Sequence, residues 1–124
     1  MKTGHLLIVD DEKNIRMTLT QCLETLGYQV DTALNGEEAL VKIEQKNYNL
    51  VLLDLKMPGI SGMEVIRQIS GKRPDLKVIV ITAHGTIETA VEAMKLGAVD
   101  FVQKPFAPQE IRELVRKALN VTHG

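Results

Sequence analysis

The sequence predicts an α/β fold: one parallel sheet with helices on both faces. Three features point there. Five apolar runs short enough to be strands recur along the 124 residues, each followed by a segment whose apolar residues return every three or four positions. The joining segments are short, and the β-α alternation repeats five times, a pattern that right-handed crossovers can thread in few ways. The run Leu50–Leu53 shows no polar alternation, as expected of a central strand covered on both faces. A carboxylate, Asp54, follows it directly. In an open parallel sheet the ligand crevice lies outside the carboxyl ends of the strands, so Asp54 should face a site. A lone Asp at that position more often merely starts a loop, so its weight depends on what the other strands deliver to the same edge.

In chain order, the first strand is His5-Leu6-Leu7-Ile8-Val9, ending in Asp10-Asp11-Glu12. Ile15, Leu19, Cys22, Leu23 and Leu26 share one face of a first helix, which Gly27 stops. Cys22 lies on that stripe and is a small core residue. Tyr28 to Ala33 alternates with period two, the mark of an edge or half-exposed strand. Asn35-Gly36-Glu37-Glu38 starts the second helix, its acids placed where the helix dipole favours them, and Ala39, Leu40 and Ile43 form its buried face. After the central strand, a loop from Leu55 to Ser61 holds Pro58 and Gly59. The third helix turns Met63, Ile66 and Ile69 inward and is expected to end at Gly71 and Pro74. Lys77 to Thr82 is a β-branched buried strand. Thr86 caps a fourth helix in which Ile87, Ala90, Val91 and Met94 share a face, and Gly97 ends it. Val99 to Gln103 is the fifth strand, closing in Lys104-Pro105-Phe106. Pro108 opens the last helix, with Ile111, Leu114, Val115, Ala118 and Leu119 as its stripe.

Composition narrows the function classes. The length suits a single domain over residues 1–124. A net charge of −1 leaves no basic footprint, and two Phe, two Tyr and no Trp leave little to stack on bases, so direct nucleic-acid contact is not expected. One cysteine excludes an internal disulfide and suits a reducing compartment. No apolar run approaches the ~20 residues of a membrane span, and no signal peptide is apparent ahead of the first strand, so a cytoplasmic protein without membrane contact is expected. The tail Val121–Gly124 reads as a frayed or cut end.

Four strand ends carry chemically capable residues: Asp10 and Asp11, Asp54, Thr82, and Lys104. A parallel sheet brings these to one edge. Three carboxylates ~4–5 Å apart would repel by several kcal/mol at an effective dielectric of ~20. They call for a hard cation, and an all-oxygen site suits Mg²⁺. The cation and Lys104 would also neutralise the oxygens of a phosphoryl group, leaving Asp54 free to attack phosphorus. Thr82 can donate its hydroxyl to one of those oxygens.

The segments Val9-Asp10-Asp11, Leu53-Asp54-Leu55-Lys56-Met57-Pro58-Gly59, Ile81-Thr82-Ala83 and Lys104-Pro105-Phe106 together resemble the receiver domain of two-component response regulators, from about His5 to Leu119. That resemblance implies the flavodoxin-like (βα)5 fold with strand order 2-1-3-4-5, which the chemotaxis member of the family shares. It further implies that Asp54 accepts a phosphoryl group from a sensor histidine kinase. Asp11 would ligate Mg²⁺ directly, with Asp10 assisting and the backbone carbonyl of Lys56 completing the protein's share. Thr82, Lys104 and the Ala83 backbone would contact the phosphoryl oxygens. Phe101 matches the switch aromatic, and the Lys104–Pro105 bond is expected to be cis. Lys56 and His84, each two residues beyond a key position, are expected to tune the phosphoryl lifetime.

Plainer readings stand beside these. Phe101 could be core packing, Lys104 a surface ion pair, Lys56 and His84 exposed bystanders, and Glu12 no more than a solvated helix start. A haloacid-dehalogenase-type phosphatase also uses a strand-end Asp with Mg²⁺, but it resembles D-x-D-x-[TV], where this chain has Lys56 in place of the second acid. Neither G-x-x-x-x-G-K-[ST] nor G-x-G-x-x-G follows a strand, which removes a nucleotide-binding module. Within the family, the wording from Thr82 to Gly85 and from Ala93 to Phe101 is most similar to receivers joined to transcriptional outputs, notably nitrogen-regulator types. The same resemblance is compatible with a stand-alone receiver or one covalently linked to an output domain, and it implies the fourth helix, fifth strand and fifth helix as the output and homodimer surface.

Overall fold

The computed structural model describes residues 4–83 and 85–120. Five strands, β1 (His5–Val9), β2 (Gln29–Ala33), β3 (Leu50–Leu53), β4 (Lys77–Thr82) and β5 (Asp100–Gln103), alternate with α1 (Lys13–Glu24), α2 (Gly36–Gln45), α3 (Gly62–Lys72), α4 (Ile87–Leu96) and α5 (Pro108–Asn120). All strand pairs are parallel, in the order β2-β1-β3-β4-β5. This is the doubly wound flavodoxin-like arrangement that the motifs imply.

Alternation along the strands divides the core into two layers. Leu7, Val9, Val51, Leu53, Val78 and Val80 face Ala39, Ile43, Val65, Ile66 and Ile69 of α2 and α3. Leu6, Ile8, Leu50, Leu52, Ile79 and Ile81 face Leu19 and Leu23 of α1 and Ile111 and Val115 of α5. β3 is buried at every position because it contributes to both layers. Each such Leu or Ile contributes roughly 1.5–3 kcal/mol by leaving water. β2, at the free edge, is the half-exposed strand its alternation predicts. Cys22 is buried between α1 and α5, where its thiol donates to the Pro108 carbonyl at 3.6 Å.

Helix starts follow the capping residues. Asn35, Ser61 and Thr86 each accept a backbone N–H from three residues on. One expectation needs correction. α3 does not stop at Gly71 but continues to Lys72, and Arg73 closes it by donating its N–H to the Ile69 carbonyl. Gly71 is exposed with open space around it, and a glycine inside a helix costs only about 1 kcal/mol. On the same helix Val65 joins Ile66 and Ile69 in the core, while Met63 is half-buried. On α4 only Ala93 is buried; Ile87, Val91 and Met94 share a face, but that face is exposed, at 84%, 47% and 45%.

Candidate functional site

The sheet ladder runs one residue past the strands and so fixes the site residues through their backbones. Asp10 N–H donates to the Ala33 carbonyl at 3.2 Å, Asp54 N–H to Val9 at 2.9 Å, and Lys104 N–H to Thr82 at 2.9 Å. The ends of β1, β3, β4 and β5 therefore converge as the strand pattern requires. Asp10, Asp54 and Thr82 are the buried polar residues among those described, at 2%, 5% and 0% exposure.

The Lys104 ammonium lies among three carboxylates: 2.8 Å from Asp10 Oδ2, 2.9 Å from Glu12 Oε1 and 3.2 Å from Asp54 Oδ2. The peptide bond between Lys104 and Pro105 is cis. Burial of Lys104 favours its neutral form, but the bonds to Asp10 and Glu12 and the charges of Asp10 and Asp54 outweigh it, holding the ammonium above its ordinary pKa. For Asp10 the balance tips the other way. Burial, aided by the charge of Asp54, raises its pKa above the usual carboxylate value despite Lys104 and the N–H of Glu12. Three carboxylates against one ammonium leave the site negative, which suits it to a further cation.

Its donors are all oxygens. Among the described residues, Asp10, Glu12 and Asp54 each bring one carboxylate oxygen to within 4.8 Å of the others. Such a set fits a hard divalent cation and not a soft one. Asp11 is not part of this group; it follows Asp10 onto the exposed side of the β1–α1 turn. That turn is held by Asp10 Oδ1 accepting the Glu12 N–H at 2.8 Å and by Arg16 Nη1 donating to the Asp10 carbonyl at 2.7 Å. Glu12 is the residue that reading the sequence missed. As the N-cap position of α1, 61% exposed at its side chain, it looks like a solvated helix start. Its approach to Lys104, 92 residues away, has no local signature.

Asp54 Oδ1 accepts the Lys56 N–H at 3.1 Å, which orients the carboxylate, while the Lys56 side chain points to solvent. Ala83 is exposed beside Thr82. Phe101 is half-buried against the α2–α3–α4 layer, its ring so close to Gly85 that a Cβ there would lie 2.7 Å from it. Gln103 Nε2 donates to the Gly85 carbonyl at 2.5 Å. The expectation for His84 falls outside the described residues. Beside Thr82 opens a cavity of about 350 Å³ lined by Leu55, Met57, Met63 and Thr89.

Residues 6–116 match the family model described as the response regulator receiver domain. The chain belongs to that family. This receiver domain is 38% identical over 120 residues to the alginate biosynthesis transcriptional regulatory protein AlgB of Pseudomonas aeruginosa, covering 97% of this chain and 27% of AlgB. It superposes on the CheY-like receiver domain protein of Methanospirillum hungatei JF-1 with a TM-score of 0.94 and 33% identity, over 98% of each chain. It is also 45% identical to the response regulator TrrA of Thermotoga maritima, solved in complex with Mg²⁺-BeF (TM-score 0.86, covering 94% of this chain and 99% of TrrA). The receiver spans from about a quarter to half the length of the curated relatives it matches. Among the described residues no helix is long and apolar enough to cross a membrane.

Proposed function

We propose that this receiver domain is a phosphorylation-controlled switch of a two-component system, in which Asp54 accepts a phosphoryl group from a sensor histidine kinase in the cytoplasm. The observation that carries the reading is the setting of Asp54. It is a buried carboxylate at a strand end, with one oxygen held by the Lys56 N–H and the other 3.2 Å from the Lys104 ammonium. Its oxygen forms the bond to phosphorus as the donor's N–P bond breaks, and the bonding electrons stay with the imidazole. Lys104 and the Thr82 hydroxyl take up charge on the phosphoryl oxygens, since such transfers depend almost wholly on positioning and electrostatics.

Mg²⁺ fits the oxygen set. Asp10, Glu12 and Asp54 present that set; in this reading Asp54, Asp11 and the Lys56 carbonyl would hold the ion with Asp10 assisting, which requires Asp11 to turn in from its exposed position. Its contribution when bound is to neutralise phosphoryl charge. Lys56 and His84 tune access of hydrolytic water. The domain acts as a switch and not as a turnover enzyme, with self-phosphorylation from small donors and loss of its own phosphoryl group as its chemistry.

Signal leaves through Thr82 and Phe101 toward the α4–β5–α5 face. Ile87, Val91 and Met94 supply there an exposed apolar row for a phosphorylation-dependent homodimer. A covalently linked output, transcriptional as in the named relative, is part of this reading.

The test is intact mass after incubation with acetyl phosphate, with and without Mg²⁺, for wild type and Asp54→Asn. A Mg²⁺-dependent gain of ~80 Da, the mass of one phosphoryl group, confined to wild type supports the reading. An adduct that persists in Asp54→Asn contradicts it.

A further inference from the structure

We infer that Glu37 is a positioning residue for this site, acting through the loop over residues 55–61; the inference rests on the Mg²⁺-dependent phosphoacceptor reading above. The sequence accounts for Glu37 as a first-turn acid favoured by the α2 dipole. The structure gives it a second task. Asn35 Oδ1 accepts the Glu38 N–H at 2.8 Å and Glu38 Oε1 accepts the Leu34 N–H at 2.6 Å, so the helix start is capped and tied to the preceding residue without Glu37. The Glu37 carboxylate instead reaches across to the loop and accepts the Ile60 N–H at 3.1 Å.

The loop is shaped to receive it. Gly59, at φ +87°, lies under the carboxylate so closely that a Cβ would sit 2.7 Å from both oxygens. The Ile60 side chain rests on Gly36 at the start of α2, where an added Cβ would come within 2.7 Å of it. At its other end the loop is tied by the Lys56 N–H on Asp54 and by Gly62 N–H donating to the Leu55 carbonyl at 3.1 Å. Gly62 itself must be small, since a Cβ would stand 2.5 Å from Leu55 Cα. Glu37 is thus the clamp at the tip of a loop whose base orients the Asp54 carboxylate and carries the Lys56 carbonyl. Without it the Ile60 N–H turns to water and the Lys56 peptide is held at one end only.

Backbone amide shifts of Lys56 to Ile60 during a Mg²⁺ titration, together with acetyl phosphate phosphorylation rates at limiting and saturating Mg²⁺, test this in wild type, Glu37→Ala, Glu37→Gln and Gly59→Ala. Glu37→Ala should need about tenfold more Mg²⁺ in both readouts, the low end of what outer-shell partners of a metal site supply. Its rate should approach wild type at saturation. Glu37→Gln keeps an acceptor oxygen and should titrate close to wild type. Gly59→Ala, which disturbs the same contact from the loop side, should shift as Glu37→Ala does. Identical titrations of wild type and Glu37→Ala overturn the inference, and so does a Glu37→Gln as impaired as the alanine variant. If wild type binds Mg²⁺ but takes no phosphoryl group, the phosphoacceptor reading fails alone and the amide titration still decides Glu37. If wild type shows no Mg²⁺ response, both fall.

Discussion

Replacing Lys104 by methionine keeps the aliphatic stem and removes the ammonium from between its three carboxylates. Each contact at 2.8 and 3.2 Å with buried Asp10 and Asp54 is worth about 5 kcal/mol of Coulomb attraction at an effective dielectric of ~20, before desolvation is subtracted. Removing one partner of a buried pair costs about 3–5 kcal/mol, because the other charge stays behind. Asp10, whose pKa burial already raises, can escape part of that by taking a proton. A loss near the lower limit, about 3 kcal/mol at pH 7 and roughly 10 °C in Tm, is therefore expected. The pH dependence has a fixed sign. An acid whose folded pKa lies above its unfolded one holds a proton in the folded state that the unfolded chain has released, so stability rises as pH falls through the folded pKa. Loss of the Lys104 bond raises the folded pKa of Asp10 further. The destabilisation should be greatest at pH 7–8 and shrink toward pH 5. Urea unfolding followed by far-ultraviolet circular dichroism across that range measures it. Mg²⁺ should stabilise the variant itself by about 1.4 kcal/mol for each tenfold excess over its dissociation constant. A loss equal at every pH, or no loss, would refute the reasoning.

Other outcomes follow from the same geometry. Asp31 accepts from Tyr48 at 2.7 Å and pairs with Lys46 at 3.2 Å and His5 at 3.0 Å; these outweigh its burial and depress its pKa. Asp31→Asn should cost about 1–2 kcal/mol at pH 7, and in a pH series of urea midpoints the difference should fade as pH drops through the depressed pKa. Ile87→Glu with Val91→Glu should leave phosphorylation intact but abolish any phosphorylation-dependent dimer, as read by light scattering. Asn35→Ala removes the α2 cap and should lower stability by about 1 kcal/mol in thermal unfolding.

How much was legible in the sequence depended on whether the cause was local. The strands and their parallel arrangement follow from apolar runs such as Leu50–Leu53, because burial on both faces leaves its mark on every residue. The edge position of β2 shows in its alternation for the same reason. That Asp54, Thr82 and Lys104 share one edge is legible because strand ends must converge in a parallel sheet. The place of Glu12 is not, since its approach to Lys104 depends on how the β1–α1 turn places successive side chains; that turn buries Asp10 and exposes Asp11. Periodicity identified which α4 residues share a face but says nothing of what covers it, and the structure leaves Ile87 bare. Gly71 misled because a helix-breaking residue is a matter of about 1 kcal/mol, easily overridden by Val65, Ile66 and Ile69 packing on the sheet. Glu37 sits in a helix start that explains it fully; only the folded loop reveals its bond to Ile60.

The central claim is that Asp54 is the residue that carries the phosphoryl group. The direct measurement is borohydride reduction of the phosphorylated domain followed by peptide sequencing, since an aspartyl phosphate is reduced to homoserine while free carboxylates are untouched. Homoserine at position 54, dependent on Mg²⁺ and on the phosphodonor, is the expected result. Homoserine at position 10 or 11, or none in a sample whose mass shows the adduct, would contradict the account.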